Sequence, residues 1–351
     1  MVDTWRLLDT GLASAARNLA LNRALLEARA ADEIPSTLHF LRFAPSVLIG
    51  CRQSLAQEAE PGECHALGIA AQRRVTGGKA WLVDERVLGW ELYLHRREVG
   101  LAGLASITAR IGNAAAAAVA AFGLDARYRA PGEIEVDCRA VGEIACAVEG
   151  DALLLQGVLV TDANHAQAAR VLRLPGGRDP ATLAALQARV AGIGDLLGVR
   201  VDLRRLKLNL TEAFESEFDV ELREGDLTLT EEARYTSALR EVQTADWLDL
   251  VSNPVADMPL PQGTVRGGHL RASLKYERPS RIVRQIWFAG ETVTDRRVLG
   301  ELEAALLDCP LERLAARVER FFSGSAGATP GGIPEDFVNV VKLAIGEPLA
   351  A

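Results

Sequence analysis

A short run of basic residues around two adjacent glycines is the segment of this chain best suited to chemistry. Arg73 and Arg74 precede Gly77-Gly78, and Lys79 follows them directly. Adjacent glycines let a backbone approach a phosphate or an extended acyl chain closely, and arginine and lysine side chains neutralise phosphate charge. An isolated glycine pair is more often a tight turn between strands. The three cations favour an anion site here, because the chain as a whole is acidic, with a formal net charge of -8.

The overall composition is typical of a globular protein of about two domains. The chain has 351 residues, of which 49% are hydrophobic and 25% are charged. Its acidic balance argues against sequence-independent binding of nucleic acid. We find no apolar window of about 18 residues that would predict a membrane span, and no secretory signal. Five scattered cysteines without a CxxC pair indicate a reducing cytoplasm and no structural disulfide.

Lysine is scarce in this chain, since only Lys79, Lys207, Lys275 and Lys342 are lysines among 39 basic residues. This imbalance indicates a compositional pressure towards arginine. Each remaining lysine is therefore more informative than usual, and Lys79 above all.

Hydrophobic periodicity predicts the elements that must position the basic run. Apolar residues alternate cleanly over 88–95, which predicts a strand. The pattern predicts further strands at 38–43, 46–49, 133–137, 141–148, 152–160, 268–276 and 281–288. It predicts helices at 12–26, 104–122, 163–173, 182–198, 230–241, 298–307, 311–322 and 334–345. Helices and strands that mix without strict alternation favour an α+β fold, with a mixed β-sheet and packed helices.

A proline-rich stretch predicts the domain boundary. Three prolines fall within residues 253–263, which show no periodicity. We therefore expect a larger domain over 1–252, a linker over 253–263 and a smaller domain over 264–351.

The basic run also resembles a known signature. Arg73-Arg74-x-Thr76-Gly77-Gly78-x-Ala80 is similar to the RRxTGGGA motif of lipoate-protein ligases, which belong to the biotin/lipoate ligase superfamily. The segments 22–26, 42–53, 134–139, 155–159 and 267–307 resemble further parts of that family, so the likeness covers most of the chain. It implies the catalytic fold of the superfamily, followed by a small α/β C-terminal accessory domain.

The resemblance implies an activity in two steps. Lipoate, or a related medium-chain acid, reacts with ATP and Mg²⁺ to give an acyl-adenylate, which then acylates a lysine of a carrier. The carrier would be an H-protein-like protein or the lipoyl domain of an acyltransferase subunit. By the same resemblance Arg73, Arg74 and Lys79 hold the phosphate, and Arg139 supports them from a facing strand. The implied substrate or nucleotide contacts are Arg42, Thr76, Gly77, Gly78, Ala80, Trp81, Asp84, Glu133, Gln156 and Gly157. Glu133 also suits Mg²⁺, which prefers carboxylate ligands.

Two departures from the family pattern concern its cations. The family's lysine after Gly-Arg is replaced by Ala140, and the third glycine of the signature is replaced by Lys79. We hypothesise that the essential cation has moved from the strand to the glycine loop. Alternatively, the Lys79 side chain fills the acyl groove, and the protein is a catalytically silent relative that binds a carrier or partner protein.

A third possibility is an octanoyl or lipoyl transferase that needs no ATP. The transferase branch uses a cysteine that forms an acyl thioester, so Cys138 and Cys146 are candidates. We interpret both as structural cysteines. The segment 128–132 resembles a cysteine-containing transferase loop, but Ala130 stands at the place of the nucleophile.

Overall fold

The computed structural model describes residues 3–100, 103–174, 177, 179–250, 262–267, 270–290, 296–324 and 334–347. The strands are β1 Asp3–Ala13, β2 Thr37–Phe43, β3 Ser46–Ile49, β4 Ala70–Arg73, β5 Trp81–Val83, β6 Val87–His95, β7 Ala126–Arg129, β8 Glu133–Val136, β9 Arg139–Glu149, β10 Ala152–Val160, β11 Val220–Glu224, β12 Gln262–Gly267, β13 Leu270–Glu277, β14 Ile282–Gly290 and β15 Cys309–Pro310.

The helices are α1 Ala15–Ala30, α2 Leu55–Glu58, α3 Pro61–Ala66, α4 Arg96–Val99, α5 Leu104–Ala120, α6 His165–Val171, α7 Pro180–Arg189, α8 Ile193–Leu197, α9 Leu203–Phe218, α10 Leu229–Val242, α11 Ala245–Leu248, α12 Arg296–Ala305, α13 Leu314–Gly324 and α14 Pro334–Ile345. A short 3-10 turn at Leu311–Arg313 precedes α13.

An eight-stranded mixed sheet forms the centre of the larger unit. Its strand order is β11-β1-β2-β6-β10-β9-β8-β7. Strand β1 is parallel to β2 and β11, and the remaining pairs are antiparallel. The central strands β6 and β10 are buried over almost their whole length. This burial requires helices on both faces of the sheet.

The two faces of the sheet carry separate helix layers. On one face Trp90 and Leu92 of β6 belong to the same apolar cluster as Ile111 of α5 and Phe214 of α9. On the other face Tyr93 clusters with leucines of α1. Alternation along a strand sends successive side chains to opposite faces, which explains how one strand serves both layers.

A small three-stranded sheet, in the order β4-β3-β5, carries the basic run. Strand β4 ends at Arg73, and the chain returns to β5 at Trp81. Residues 74–80 therefore form a connection between two strands of this sheet. The glycine pair lies within that connection.

The C-terminal unit has its own four-stranded sheet, β12-β13-β14-β15, and its own apolar cluster. Phe288 and Phe337 pack edge to face inside it, with ring centroids 5.0 Å apart. The expected linker 253–263 lies mostly outside the described residues, and its last two positions belong to β12. The division into two domains remains a prediction.

The expected α+β class is confirmed, but several local elements differ from those that the sequence pattern predicts. Residues 3–13 form a strand where we expected a helix to begin at 12, because a bulge between Asp9 and Gly11 disrupts the alternation. The pattern did not predict α9. The single helix expected over 182–198 divides at Gly192, where an added Cβ would lie 2.6 Å from the Cα of Asp162. That close approach requires glycine and interrupts the helix.

Candidate functional site

The glycine loop, residues 74–80, is held by backbone contacts from both units. The amide of Gly77 donates to the carbonyl of Cys146 at 3.2 Å, and the amide of Gly78 donates to the carbonyl of Gly290 at 3.0 Å. Gly78 has a φ of 96°, a conformation that favours glycine. The C-terminal unit therefore takes part in fixing the loop.

Arg73 and Arg74 are both fully buried, and their guanidinium groups bond to the protein itself. Arg73 donates to the carbonyl oxygens of Gly50, Cys51, Gln53, Trp247 and Leu248. These contacts tie β4 to the end of β3 and to α11. Arginine presents five donors, so a single side chain can hold several carbonyls.

Arg74 serves the glycine loop directly. It donates to the carbonyl of Gly77 at 2.6 Å, to that of Lys79 at 3.1 Å and to the hydroxyl of Thr76 at 3.1 Å. Burial lowers the pKa of Arg74 to about 10. The contacts of Arg73 and Arg74 on the described residues shape the loop, and their expected role in binding phosphate remains a prediction.

A buried polar network continues from Thr76 into the main sheet. The Thr76 hydroxyl donates to Gln156 Oε1 at 2.7 Å, and Gln156 Nε2 donates to Glu91 at 2.8 Å. The Glu91 carboxylate also contacts Asn22, His39 and Tyr93. Burial, followed by the charge of Glu91, raises the pKa of Tyr93 well above its ordinary value. The network therefore anchors Thr76, which directly precedes the glycine pair, to the protein core.

An apolar cavity of about 280 Å³ lies beside the loop. The loop and β5 supply one wall, and β9, β10, α6 and α7 supply the others. The residues lining it are mostly aliphatic: Lys79, Ala80, Trp81, Leu82, Val83, Asp84, Val87, Ala140, Gly142, Glu143, Val158, Val160, Asp162, Ala163, Asn164, His165, Ala168, Leu172, Leu174, Leu186, Arg189 and Val190. Ligand pockets range from roughly 300 to 1,000 Å³, so this cavity suits a small, mainly apolar group.

Lys79 and Arg189 bring positive charge to the cavity. Lys79 Nζ lies 3.0 Å from Glu133 Oε1 and 3.3 Å from Glu143 Oε2. Arg189 contacts the other oxygen of Glu133 and lies 2.6 Å from Glu135. The hydrogen bonds from Arg189 help to hold the pKa of Glu135 below its ordinary value against the opposing effect of burial. A charged cluster thus borders an otherwise apolar cavity.

The structure brings together only part of the site expected from sequence. Lys79, Ala80, Trp81 and Asp84 line the cavity, and so does Ala140. Lys79 therefore faces the same cavity as the position from which the family's lysine is missing.

Several other expected residues are not part of the cavity wall. Arg42 and Arg139 do not line it. Gly157 lies instead against the ring of Trp90, where an added Cβ would come within 2.1 Å of ring carbons. Asp84, which does line the cavity, pairs with Arg86.

Arg189 and Glu143 were not among the residues expected at the site. Arg189 ends α7, far along the chain from the signature, and Glu143 follows Gly142 in the middle of β9. The sequence predicted a strand over 141–148, but no pattern in it indicated which of its residues would line a cavity. No sequence pattern indicated that α7 would close over this strand.

The cysteines lie outside the apolar cavity. Cys138 is exposed on a tight turn between β8 and β9, in which it and Asp137 both have positive φ. Cys146 is buried, as expected for a structural cysteine, whereas the exposure of Cys138 rules out a role in core packing. Cys51 and Cys146 line a second cavity of about 750 Å³ between the two units.

The described residues contain no group of three or more His, Cys, Asp or Glu side chains arranged to hold a metal ion. Across the same part of the chain, no helix combines the length and the apolar character needed to cross a membrane.

The mixed sheet, the glycine loop and the apolar cavity with its charged border define an α+β protein with a candidate binding site for a small, mainly apolar group. The family model of the lipoyl protein ligase A/B catalytic domain matches residues 14–215, and this chain belongs to that family.

Curated relatives and solved structures agree with this assignment. An octanoyltransferase LipM from Moorella thermoacetica is 28% identical over 268 residues, covering 70% of this chain and 98% of the relative. Another LipM, from Bacillus subtilis, is 35% identical over 86 residues, covering 24% of this chain and 31% of the relative.

The fold agrees with two solved structures. A bipartite lipoate protein ligase from Thermoplasma acidophilum has a TM-score of 0.63 at 22% identity, covering 72% of this chain and 100% of that one. LipL1 from P. falciparum, in complex with lipoate, has a TM-score of 0.69 at 14% identity, covering 97% of this chain and 99% of that one. The expected family and fold are confirmed, and the relatives are enzymes of the lipoate ligase and octanoyltransferase type.

Proposed function

We propose that this protein joins a medium-chain acyl group, such as a lipoyl or octanoyl group, to a lysine of a lipoyl-carrier domain, with ATP activating the acyl carboxylate. One observation carries the proposal: Lys79 lies at the wall of an apolar cavity, directly after the glycine loop. Apolar walls suit the acyl chain, and the ammonium group suits the charge that develops at its reactive end.

The reaction has two steps in this proposal. A carboxylate oxygen of the acid attacks the α-phosphorus of ATP, and the bond to pyrophosphate breaks to give an acyl-adenylate. The neutral amine of the carrier lysine then attacks the acyl carbon, AMP leaves, and the nitrogen loses a proton. Negative charge accumulates on phosphate oxygens in the first step, where a fixed cation lowers the barrier.

Lys79 supplies that cation in our proposal. It lines the same cavity as Ala140, the position at which the family's lysine is replaced. This shared wall supports the hypothesis that the cation has moved from the strand to the glycine loop. Arg73 and Arg74 act as positioning residues, because their donors hold the backbone around the loop.

We expect Mg²⁺ to bind together with the nucleotide and not as a resident ion. The two carboxylates nearest Lys79, Glu133 and Glu143, contact cationic side chains of the protein. Such a donor set does not fit a resident Mg²⁺ ion. Mg²⁺ commonly binds through substrate phosphates with few protein ligands, so Mg-ATP is the species that we expect to bind.

A second candidate is transfer of an octanoyl group from one carrier to another without ATP. The similarity to octanoyltransferases over 70% of the chain favours it. The chemistry of the cavity favours the ligase, since no cysteine is among the described residues that line it. An acyl-thioester intermediate would need such a nucleophile at the cavity.

The expected cytoplasmic location remains a prediction.

Intact-mass analysis of a lipoyl-carrier domain tests the proposal. The purified protein is incubated with carrier and octanoate or lipoate, with and without Mg-ATP, and separately with an octanoyl-carrier donor. We expect an acyl mass increment that requires ATP and is reduced at least 100-fold in Lys79→Ala. Lys207→Ala is the matched control, because Lys207 pairs with Asp9 away from the cavity.

Each other outcome has a defined meaning. An acyl mass increment on the carrier that comes from the octanoyl-carrier donor without ATP would contradict the ligase activity and favour the transferase activity. No increment with any donor, together with measurable carrier binding, would overturn both and leave the silent relative.

A further inference from the structure

We infer that Arg189 and Lys79 form a two-cation site for the anionic group of the substrate, and that Glu133 is the counter-ion that the two cations share in the free protein. The identity of the substrate rests on the proposed function. The chemistry recognised is an oxyanion, either a carboxylate or a phosphate oxygen.

Glu133 joins the two cations through different oxygens. Its Oε1 accepts from Lys79 Nζ at 3.0 Å, and its Oε2 accepts from Arg189 Nη2. The side chain of Glu133 is 8% exposed, so the carboxylate is nearly enclosed. A single carboxylate therefore brings together one cation from the glycine loop and one from the end of α7.

Both cations have a second anchor besides Glu133. Lys79 Nζ also contacts Glu143 at 3.3 Å, and Arg189 Nη1 donates to Glu135 at 2.6 Å. Loss of the contacts to Glu133 would leave both side chains held at the cavity wall. Cations fixed in advance cost less entropy when an anion binds.

The position of Arg189 at a helix end favours its positive charge. It is the last residue of α7, where the helix dipole favours a cation. Burial opposes its charge, but the hydrogen bonds and charges of Glu135 and Glu133 outweigh that effect and raise the pKa of Arg189. The helix itself begins with the Asp179 cap and Pro180, which fix its start.

Arg129 provides an internal comparison for a purely structural role. It contacts the same two carboxylates, at 3.9 Å from Glu133 and 2.9 Å from Glu135. However, it is 58% exposed and does not line the cavity, whereas Arg189 does. Replacing Arg129 therefore removes ion pairs to the β8 carboxylates without changing the cavity wall.

Calorimetric titration tests the inference with three probes: sodium octanoate, Mg-ATP and inorganic phosphate. We expect Arg189→Gln to weaken binding of octanoate or Mg-ATP about tenfold or more, because the variant loses a charge-assisted hydrogen bond to the anion. Arg129→Gln should stay within about twofold of the wild type. Glu133→Gln should tighten anion binding severalfold, a gain that a merely structural ion pair would not give. A urea unfolding curve for each variant confirms that it is folded.

The outcomes separate this inference from the proposed function. Equal effects of Arg189→Gln and Arg129→Gln, or weaker binding in Glu133→Gln, would overturn the two-cation site. Octanoate binding that depends on Arg189, without any binding of Mg-ATP, would support the site and count against the ligase. ATP-dependent carrier modification with unchanged affinity in Arg189→Gln would support the ligase and overturn the site.

Discussion

The guanidinium of Arg74 lies over the indole ring of Trp81, with its central carbon 3.7 Å from the ring centroid. Both residues are buried, and the stack connects the end of β4 to the start of β5. An arginine that stacks on a ring and also donates hydrogen bonds to surrounding carbonyls cannot be replaced by lysine without a loss of stability. The glycine loop thus depends on the shape of this side chain as well as on its charge.

Arg74→Lys should lower the free energy of unfolding by about 1–3 kcal/mol, since buried carbonyl groups lose their donors. The measurement is urea denaturation followed by far-UV circular dichroism. Arg127→Lys, at an exposed ion pair with Asp125, is the control and should change the value little. Equal stability of the two variants would contradict the role given to Arg74.

Glu91→Gln should destabilise the protein by about 3 kcal/mol, because several donors converge on a fully buried carboxylate. Hydrogen exchange should also become faster at the amides of Gly77 and Gly78, since Gln156 links Glu91 to Thr76. If Glu91→Gln lowers the free energy of unfolding but leaves hydrogen exchange at these two amides unchanged, the network does not position the loop.

Gly157→Ala should lower the free energy of unfolding by about 1–3 kcal/mol, because the new methyl group would overlap the buried ring of Trp90. Gly300→Ala is the matched control on α12, where nothing lies within 4 Å of the added Cβ. Because alanine favours the helix more than glycine does, Gly300→Ala should raise the free energy of unfolding by up to about 1 kcal/mol. Thermal unfolding of both variants provides the comparison, and a neutral Gly157→Ala would contradict the packing described.

Tyr128 should make the protein less stable as pH rises above 10. Burial raises the pKa of its phenol to about 12, whereas an unfolded tyrosine ionises near 10. Between these values the native state binds more protons than the unfolded state, so stability falls with increasing pH. Tyr128→Phe should reduce this decline, as followed by melting temperatures from pH 9 to 12. A decline that is as steep in Tyr128→Phe as in the wild type would exclude this contribution.

Much of the fold followed from local periodicity. The bounds of β3, β10 and α14 are those that the pattern predicts, because alternation and helical spacing report directly which face is buried. Strand β1 was not predicted, because its bulge shifts the alternation and Leu12 then fits helical spacing. The glycine signature likewise identified the loop and Lys79 before any contact was known.

The family signature, the loop and the lysine that stands out among few lysines can all be read from the amino-acid sequence. Which cations face the cavity depends instead on packing. Arg73 and Arg74 are as basic as Lys79 in sequence, yet packing encloses them among carbonyl oxygens, while Lys79 lines the cavity. Arg189 reaches the same cavity because α7 closes over the sheet. Such a contact joins residues distant in the chain and depends on how whole elements pack, which no local pattern records.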